Sequence, residues 1–307
     1  MTERIHIGRG TYDGRGVTVF PVWLESPEVH GFCWKPAHLA VSEIEAGASV
    51  NNLVVTNANH RPIIAIEGDI FEGGLQNRML ARSLVVGRGE RHEVAVACVE
   101  QGRWHGVNAQ QASTSRASYG VRYGLTDVLA AEHAESGGTD AGTYAETNVS
   151  GRAQGEVWER IRTYEAAHGE VAEHSLLASM AMTEREAPTE LLPVTMIPGQ
   201  RGVIIGIGGY IAAAEFFGGQ SGLAARWDAI IAAARYEALS APKRETPGFM
   251  ARDLARLLER TPIGENLSAP EQVETPMGPL AVSSFALGFG LIHAAVFNGG
   301  HPVLARV

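Results

Sequence analysis

The first hundred residues contain short runs of apolar, β-branched and aromatic residues that predict strands. Two such runs are VTVFPVWL at residues 17–24 and VNNLVVT at residues 50–56. Residues 79–86 and residues 93–100 flank the turn sequence Gly-Arg-Gly-Glu, which predicts an antiparallel hairpin. This part of the chain is therefore expected to consist of strands and turns.

The second arm of that predicted hairpin alternates, with Val94, Val96 and Cys98 on one face and Glu100 continuing the same row. A carboxylate at the end of a core-facing row has to lie at a rim or in a pocket, where a cation or a hydrogen-bond donor can stabilise its charge. Glu100 is therefore a candidate functional residue.

Apolar residues recur at helical spacing after residue 155 and predict three helices. The helices are marked by Val157, Ile161 and Tyr164, by Leu223, Trp227, Ile230, Ile231 and Ala234, and by Met250, Leu254, Leu257 and Leu258. A less regular helix is predicted around residues 171–182. Residues 203–217 and 282–297 are each centred on glycines, which predicts two further hairpins.

These patterns predict an α+β fold. Residues 1–107 are its β-rich part, for which a sandwich-like packing is one arrangement. Residues 108–155 are rich in Ser, Thr, Gly, Gln and Ala, and residues 136–143 (SGGTDAGT) offer no side chains that could build a core. We therefore expect a flexible polar loop there, followed at residues 156–307 by an α+β part in which helices pack on hairpin strands.

Composition and charge narrow the function classes. The 307 residues are 45% hydrophobic, which excludes disordered and fibrous classes, and 34 acidic residues outnumber 25 basic ones. The net charge of -9 argues against general nucleic-acid binding, which needs a surplus of Lys and Arg. Residues 1–10 lack the layout of a secretion signal, and no apolar run is long enough to span a membrane. A cytoplasmic protein without a membrane partner is expected.

Positive charge is concentrated in one stretch of the chain. From His60 to Arg122, eight arginines accompany six acidic residues, and the chain contains only two lysines, Lys35 and Lys243. Any cation in a site is therefore expected to be an arginine, whose planar fork binds phosphate or carboxylate. An anionic small molecule is expected to bind in this stretch, although composition alone explains most of its arginines.

The densest polar cluster follows the apolar residues 62–66. Its acids, amides, glycines and arginine are Glu67, Gly68, Asp69, Glu72, Gly73, Gly74, Gln76, Asn77 and Arg78. Glycines let backbone approach a ligand, the amides offer donors and acceptors to a ribose hydroxyl or a base edge, and the arginine can bind phosphate. The alternative is an acidic turn in which Arg78 forms a salt bridge to Glu72 or Glu100.

A second cluster follows Glu100 and consists of Gln101, Arg103, Trp104 and His105. Trp104 could stack on a nucleobase, although a single tryptophan also serves for packing. If the strand of Glu100 pairs with the strand that leaves Arg78, carboxylates from both clusters face one cavity. They would then act as a general acid and base or as oxygen ligands for Mg²⁺. The candidate metal ligands are Glu67, Asp69, Glu72 and Glu100.

An acidic, glycine-containing turn followed by Gln-Asn-Arg, and a strand that ends in Cys-Val-Glu-Gln-Gly-Arg-Trp, both lie within residues 50–104. This run resembles the bacterial domain family called "ARG and rhodanese-phosphatase-superfamily-associated protein", in which ARG stands for ADP-ribosylglycohydrolase. Residues 154–158, 202–217 and 291–297 are also similar to the family. Because the resemblance covers most of the chain, it favours a single domain over residues 1–307, with the polar loop inside it.

The resemblance implies a role in binding or processing ADP-ribose, NAD-derived or related nucleotides, since the family name records an association with ADP-ribose hydrolases and phosphatase-like proteins. The family motif covers Gly68, Glu72, Gln76, Asn77, Arg78, Glu100, Gln101, Arg103 and Trp104. This sequence departs from it by placing Glu67 and Asp69 on either side of Gly68. Residues 136–143 look like an insertion.

The leading hypothesis is a domain that binds and hydrolyses a phosphate-bearing nucleotide, with Glu72 and Glu100 as acid/base or metal-binding carboxylates. The alternative is a non-catalytic domain that senses such a nucleotide or contacts a partner protein, because no nucleophile with its base is recognisable. In a third interpretation, Arg78, Glu72 and Glu100 form a buried ionic network. The alanine- and glycine-rich hairpins leave homo-oligomerisation open.

Overall fold

The computed structural model describes residues 4–44, 49–106, 109–136, 148–185, 193–260, 270–275, 278–288 and 290–305. In these ranges the strands are β1 (Ile5–Ile7), β2 (Thr11–Tyr12), β3 (Val17–Leu24), β4 (Ala40–Ser42), β5 (Asn52–Thr56), β6 (Ile63–Ala65), β7 (Asp69–Glu72), β8 (Arg78–Leu80), β9 (Leu84–Val86), β10 (Arg91–Cys98), β11 (Gln111–Arg116), β12 (Gly202–Ile207), β13 (Tyr210–Phe217), β14 (Pro270–Thr275), β15 (Gly278–Leu287) and β16 (Gly290–Asn298). The α-helices are α1 (Tyr119–Glu135), α2 (Gly151–His168), α3 (Leu176–Arg185), α4 (Gln220–Ala224), α5 (Trp227–Ala238) and α6 (Gly248–Arg260).

The predicted α+β fold is confirmed, and its β-rich part contains a closed barrel. Six antiparallel strands follow one another around it in the order β10-β5-β4-β11-β7-β8, and β8 pairs with β10 to close the ring. The strands therefore form a barrel instead of the sandwich-like arrangement considered above. Most of them are short, and β11 is irregular between Ala112 and Arg116, which helps a sheet to bend and close on itself.

The hairpin predicted for residues 79–86 and 93–100 is correct only in its first part. Met79 and Leu80 of β8 lie opposite Ala97 and Val96 of β10. The next strand, β9, leaves the barrel and pairs with β6. Apolar packing accounts for this pairing, because Ile63 of β6 and Val86 of β9 are fully buried and join the core of the barrel.

The second sheet has eight strands in the order β1-β3-β12-β13-β16-β15-β14, with β2 also paired to β3. It contains both glycine-centred hairpins, β12–β13 and β15–β16, as predicted. The turn between β12 and β13 uses Gly208 and Gly209 at φ angles of 62° and 97°, where a side chain would be strained. We call this sheet the large sheet; it combines strands from both halves of the chain.

The prediction of a flexible loop at residues 108–155 is wrong for its described part. Residues 111–116 form β11 of the barrel, and α1 follows directly. The apolar side chains of Val121, Leu125 and Val128 are buried and recur at helical spacing on α1. Alanines and polar residues surround them in the sequence, which makes this spacing hard to recognise. Residues 137–147, which include most of the SGGTDAGT run, lie outside the described residues.

The helices predicted from apolar spacing are confirmed. The first is α2, which begins after Ser150, whose hydroxyl accepts a hydrogen bond from the Ala153 amide at 3.0 Å. The predicted second helix is divided into α4 and α5, and the third is α6. The less regular segment around residues 171–182 contains α3.

Helices cover both layers of the molecule. α1 and α2 pack on the outer face of the barrel, where Ala95 and Ala97 of β10 meet Val121 and Val157. α5 packs on one face of the large sheet and α6 on the other. Val94 and Val96 belong to the barrel core, so the predicted alternation of β10 is correct, and both faces of the strand are buried from Val94 to Cys98. No α-helix in the described ranges is long and apolar enough to cross a membrane.

Candidate functional site

One end of the barrel gathers most of the residues that the sequence singles out. β7 ends at Glu72, β8 begins at Arg78 and β10 ends at Cys98, and because these neighbouring strands are antiparallel, their ends lie together. We call this end the barrel mouth. It comprises Glu43, Glu72, Gly73, Gly74, Gln76, Asn77, Arg78, Glu100, Arg103, Trp104 and Gln110.

Glu100 lies at the centre of the barrel mouth and is 5% exposed. Its carboxylate accepts hydrogen bonds from the Asn77 amide at 2.9 Å and from Arg103 Nε at 2.7 Å, and Arg103 Nη2 lies 2.6 Å away. A buried carboxylate needs such partners to remain charged. The sequence predicts a cation or a hydrogen-bond donor beside Glu100, and both are present.

Arg78 is fully buried below Glu100 and binds other parts of the protein. Its Nε donates to the Val50 carbonyl at 3.1 Å, its Nη2 to the Ser49 carbonyl at 3.0 Å, and its Nη1 to Glu43 Oε1 at 2.9 Å. The predicted salt bridge of Arg78 to Glu72 or Glu100 is not among its contacts; Glu43 is its carboxylate partner.

Arg103 ties the β7–β8 turn to Glu100. Its Nη1 donates to the Gly74 carbonyl at 3.1 Å, and its Nη2 donates to Asn77 Oδ1 at 3.2 Å and to the Gly73 carbonyl at 3.4 Å. Gly74 has a φ of 52°, and a Cβ there would collide with Gln110 Oε1. The glycines therefore allow the turn to lie close to the barrel.

The rim of the barrel mouth is accessible to solvent. Trp104 is 47% exposed, and its ring centroid lies 5.9 Å from the guanidinium carbon of Arg78. Glu72 is half-buried and accepts a hydrogen bond from the Ser113 hydroxyl. Gln101 is exposed and accepts a hydrogen bond from Arg162 at 2.7 Å. The rim thus combines an aromatic ring with polar groups.

Glu67, Gly68 and Asp69 belong to a different place, between the barrel and the large sheet. We call it the interior arginine network, and its ionisable members are Glu67, Asp69, Arg116, Arg122, Glu215, Arg226 and His293, each at most 3% exposed. Arg122 of α1 binds both Glu67 and Glu215 of β13, the latter at 2.7 Å. Arg226 binds Asp69 at 2.6 Å. Gly68 allows the side chain of Arg122 to approach, since a Cβ there would lie 2.6 Å from Arg122 Nε.

Arginines favour the charged form of two carboxylates in the interior arginine network, Glu215 and Asp69. Burial by itself would raise the pKa of Glu215, but Arg116 and Arg122 bring this pKa well below its usual value. Burial also opposes ionisation of Asp69, and the charge and hydrogen bond of Arg226 lower its pKa nonetheless. Burial lowers the pKa of His293, which favours its neutral form.

The four predicted metal ligands do not form one metal site. Glu67 is in the interior arginine network and can be grouped with Glu215 and His293, whose ligand atoms lie within 4.8 Å of one another. Arg122 and Arg116 already contact the carboxylates of this group, at 2.7 Å and 3.1 Å for Glu215. A metal ion would have to displace a guanidinium and lie beside two fixed positive charges, which Coulomb repulsion opposes.

A sequence profile matches residues 4–286, and its family is described as ARPP-1, the ARG and Rhodanese-Phosphatase-superfamily-associated Protein domain. The chain belongs to this family. The ARPP-1 match spans the barrel mouth, most of the large sheet, and every member of the interior arginine network except His293, which lies beyond residue 286. No curated protein and no solved structure matches the chain.

Sequence reasoning missed several residues of this ARPP-1 domain. At the barrel mouth they are Glu43 and Gln110, which contact Arg78 from the residue after β4 and from the residue before β11. In the interior arginine network they are Arg116, Arg122, Glu215, Arg226 and His293. Glu215 carried a usable signal, because it is a single acid within the apolar run IAAAEFF, where a buried charge requires a partner.

Proposed function

We propose that the chain binds a phosphate-bearing nucleotide of the ADP-ribose or NAD type at the barrel mouth. Trp104 is the observation that carries this proposal, because it is 47% exposed at the rim of a polar cluster. Its ring lies against the buried cation of Arg78, which fixes an indole surface on which a nucleobase can stack. The ADP-ribosylglycohydrolase association in the family name supports this class of ligand.

The phosphate groups are assigned to Arg103 at the rim. The Arg103 side chain is 15% exposed, whereas Arg78 is fully buried and its nitrogens donate to protein acceptors. The long 3.4 Å contact from Arg103 to the Gly73 carbonyl is the one that a phosphate oxygen can replace most readily. Gln101, which is exposed beside Arg103, and Asn77 would orient the sugar and phosphates.

Hydrolysis of the bound nucleotide is the second candidate function. Arg103 binds the Glu100 carboxylate and the carbonyl of Gly73, the residue that follows Glu72. Glu72 and Glu100 thus belong to the same end of the barrel, and an acid and base pair or a Mg²⁺ site needs two such carboxylates. The competing possibility is non-catalytic sensing. Asn77 and Arg103 already donate hydrogen bonds to the Glu100 carboxylate, and an oxygen that accepts such bonds is less available as a base or a metal ligand.

Replacing Trp104 tests the binding proposal. We expect Trp104→Ala to weaken binding of ADP-ribose about 5-fold to 100-fold, the range that loss of one stacking contact produces. Titration calorimetry and ligand-observed NMR with ADP-ribose, NAD and AMP, with and without Mg²⁺, would measure the change. Phe249→Ala is the matched control, because Phe249 is 56% exposed on α6. Equal affinities of the two variants, or no binding to the unaltered protein, would refute the proposal.

The same samples separate an enzyme from a sensor. New product resonances that appear over hours, and that are absent with Glu72→Gln or Glu100→Gln, would establish hydrolysis and identify the cleaved bond. Binding that persists without products would instead select the sensing function.

A further inference from the structure

The barrel mouth contains buried oxygen atoms that accept no hydrogen bond from the residues that the structure describes. They are Oε2 of Glu43 and Oε1 of Gln76. Gln76 is only 4% exposed, so water has little access to its side chain. A buried acceptor without a donor costs about 1–3 kcal/mol, and such atoms are uncommon in folded proteins.

The donors around these two oxygens are engaged elsewhere. Gln76 Nε2 donates to the Glu100 carbonyl at 3.2 Å. Gln110 Nε2 donates to the carbonyls of Phe71 at 2.9 Å and Gln76 at 3.3 Å. The three nitrogens of Arg78 donate to Val50, Ser49 and Glu43. The missing donors are therefore expected to belong to a bound molecule.

Arg78 and Gln110 connect the two oxygens within one cluster. Arg78 Nη1 lies 2.9 Å from Glu43 Oε1 and 3.4 Å from Gln110 Oε1. Gln110 in turn binds the backbone of Gln76. Trp104 packs over the same arginine. Trp104, Glu43 and Gln76 are thus connected at the same end of the barrel through Arg78 and Gln110.

The charge of the cluster favours a neutral donor over a metal ion. The Glu43 carboxylate is already paired with Arg78 at 2.9 Å. A second cation at Glu43 Oε2 would lie close to that guanidinium, and the two positive charges would repel each other. A hydroxyl group donates a hydrogen bond without adding charge. Neighbouring sugar hydroxyls therefore match a carboxylate oxygen and an amide oxygen better than Mg²⁺ does.

We infer that Glu43 and Gln76 bind the hydroxyl groups of a ribose and thereby select ribose over deoxyribose. This inference rests on the proposed function and deepens it, since it names the part of the nucleotide that enters the barrel mouth and a residue, Glu43, that recognises it. The selectivity arises because a deoxy sugar would leave one of the buried acceptors without a donor.

The test uses D-ribose and 2-deoxy-D-ribose as probes in saturation-transfer NMR, beside ADP-ribose. The unaltered protein should bind ribose about 10-fold more tightly than 2-deoxyribose. Glu43→Gln replaces an acceptor by a donor, and Gln76→Met removes an acceptor while keeping a similar shape; each should abolish the preference. Glu184→Gln, at an exposed glutamate near the end of α3, is the matched control and should retain it. The selectivity ratio separates recognition from a general loss of folding, which thermal melts monitor.

The outcomes distinguish this inference from the proposed function. If ADP-ribose binds but ribose and 2-deoxyribose bind equally, or if Glu43→Gln and Gln76→Met both keep the preference, the inference is overturned while the proposed function stands. If ribose binds with the expected response to Glu43→Gln but ADP-ribose does not bind, the proposed function fails and hydroxyl recognition stands. Failure of both probes to bind overturns both.

Discussion

Glu237 shows how a single buried side chain can make the stability of this protein depend on pH. It is 0% exposed on α5 and accepts hydrogen bonds from the Gly120 amide and the Tyr164 hydroxyl, each at 2.5 Å. Burial raises its pKa, because desolvation disfavours the carboxylate. The folded state therefore binds a proton more tightly than the unfolded state does.

A carboxyl group whose folded pKa is raised favours folding at low pH, and this advantage is lost as the pH rises from the unfolded toward the folded pKa. Glu237→Gln keeps a neutral acceptor without the titration. We expect the variant to gain stability relative to the unaltered protein between pH 5 and pH 8, on the order of 1 kcal/mol for each unit by which the pKa is raised. Urea unfolding at both pH values measures this, and Glu184→Gln should show no such change. If the free energies of unfolding of Glu237→Gln and the unaltered protein differed by the same amount at both pH values, the prediction would be contradicted.

At the scale of one residue, the sequence located the barrel mouth but not every partner within it. Glu100 was identified because it extends the apolar face of β10, and Trp104 and Arg103 follow it in the chain. Glu43 could not be connected to Arg78 in the same way. The two are 35 residues apart, and the β4 strand that brings them together contains only three residues. The pattern of apolar and polar residues near either position does not predict a contact between residues so far apart in the chain.

Among the elements, the β7–β8 turn determines the shape of the barrel mouth. Gly74 combines a φ of 52° with close approach to Gln110. We expect Gly74→Ala to lower the free energy of unfolding by about 1–2 kcal/mol, because the left-handed backbone disfavours a side chain. Displacing Gln110 would add to that loss.

Denaturant unfolding of Gly74→Ala can be compared with that of Gly151→Ala. Gly151 begins α2, and a Cβ there would meet no atom within 4 Å, so its replacement should be neutral or stabilising. Equal destabilisation of the two variants would show that the turn does not constrain the backbone as described. Weaker ADP-ribose binding by Gly74→Ala alone would connect the turn to the proposed site.

The elements that sequence predicted well are those whose partners are near in the chain. Hairpins β12–β13 and β15–β16 follow from glycine turns between apolar runs, and α2, α5 and α6 follow from helical spacing. Barrel closure cannot be predicted in this way. β10 pairs with β5 on one side and with β8 on the other, and a period-2 pattern of apolar residues does not indicate which strands will be its neighbours. The predicted pairing of β9 with β10 is wrong for the same reason, because the apolar residues of β9 can pair with β6 as well as with β10.

For the whole molecule, the interior arginine network joins the barrel to the large sheet. Arg122 of α1 bridges Glu67, next to β7, and Glu215 of β13. Arg122→Met would remove the guanidinium that hydrogen-bonds to both of these buried carboxylates. We expect a loss of about 3–5 kcal/mol in the free energy of unfolding, measured in guanidinium chloride.

The matched control for Arg122→Met is Arg152→Met, which breaks the exposed pair with Glu135 and should cost less than about 1 kcal/mol. A similarly small effect of Arg122→Met would mean that the interior arginine network contributes little to stability.

Because Arg116 and Arg122 depress the pKa of Glu215, the stabilising contribution of Glu215 is present above its pKa in the unfolded state. This contribution of Glu215 to stability should be lost as the pH falls toward the pKa of Glu215 in the folded state.

The pairing of β3 with β12 also has a consequence for the order in which the protein can assemble. Val22 lies opposite Gly202, so 180 residues separate two neighbours in the large sheet. At translation rates of about 5–20 residues per second, β12 is synthesised roughly 10–40 seconds after β3. The barrel strands are complete once Arg116 has been synthesised, whereas the edge of β3 that pairs with β12 keeps open hydrogen-bonding groups until β12 follows. Ribosome-bound chains that end before residue 200 should therefore depend on a chaperone to keep β3 from pairing with other chains.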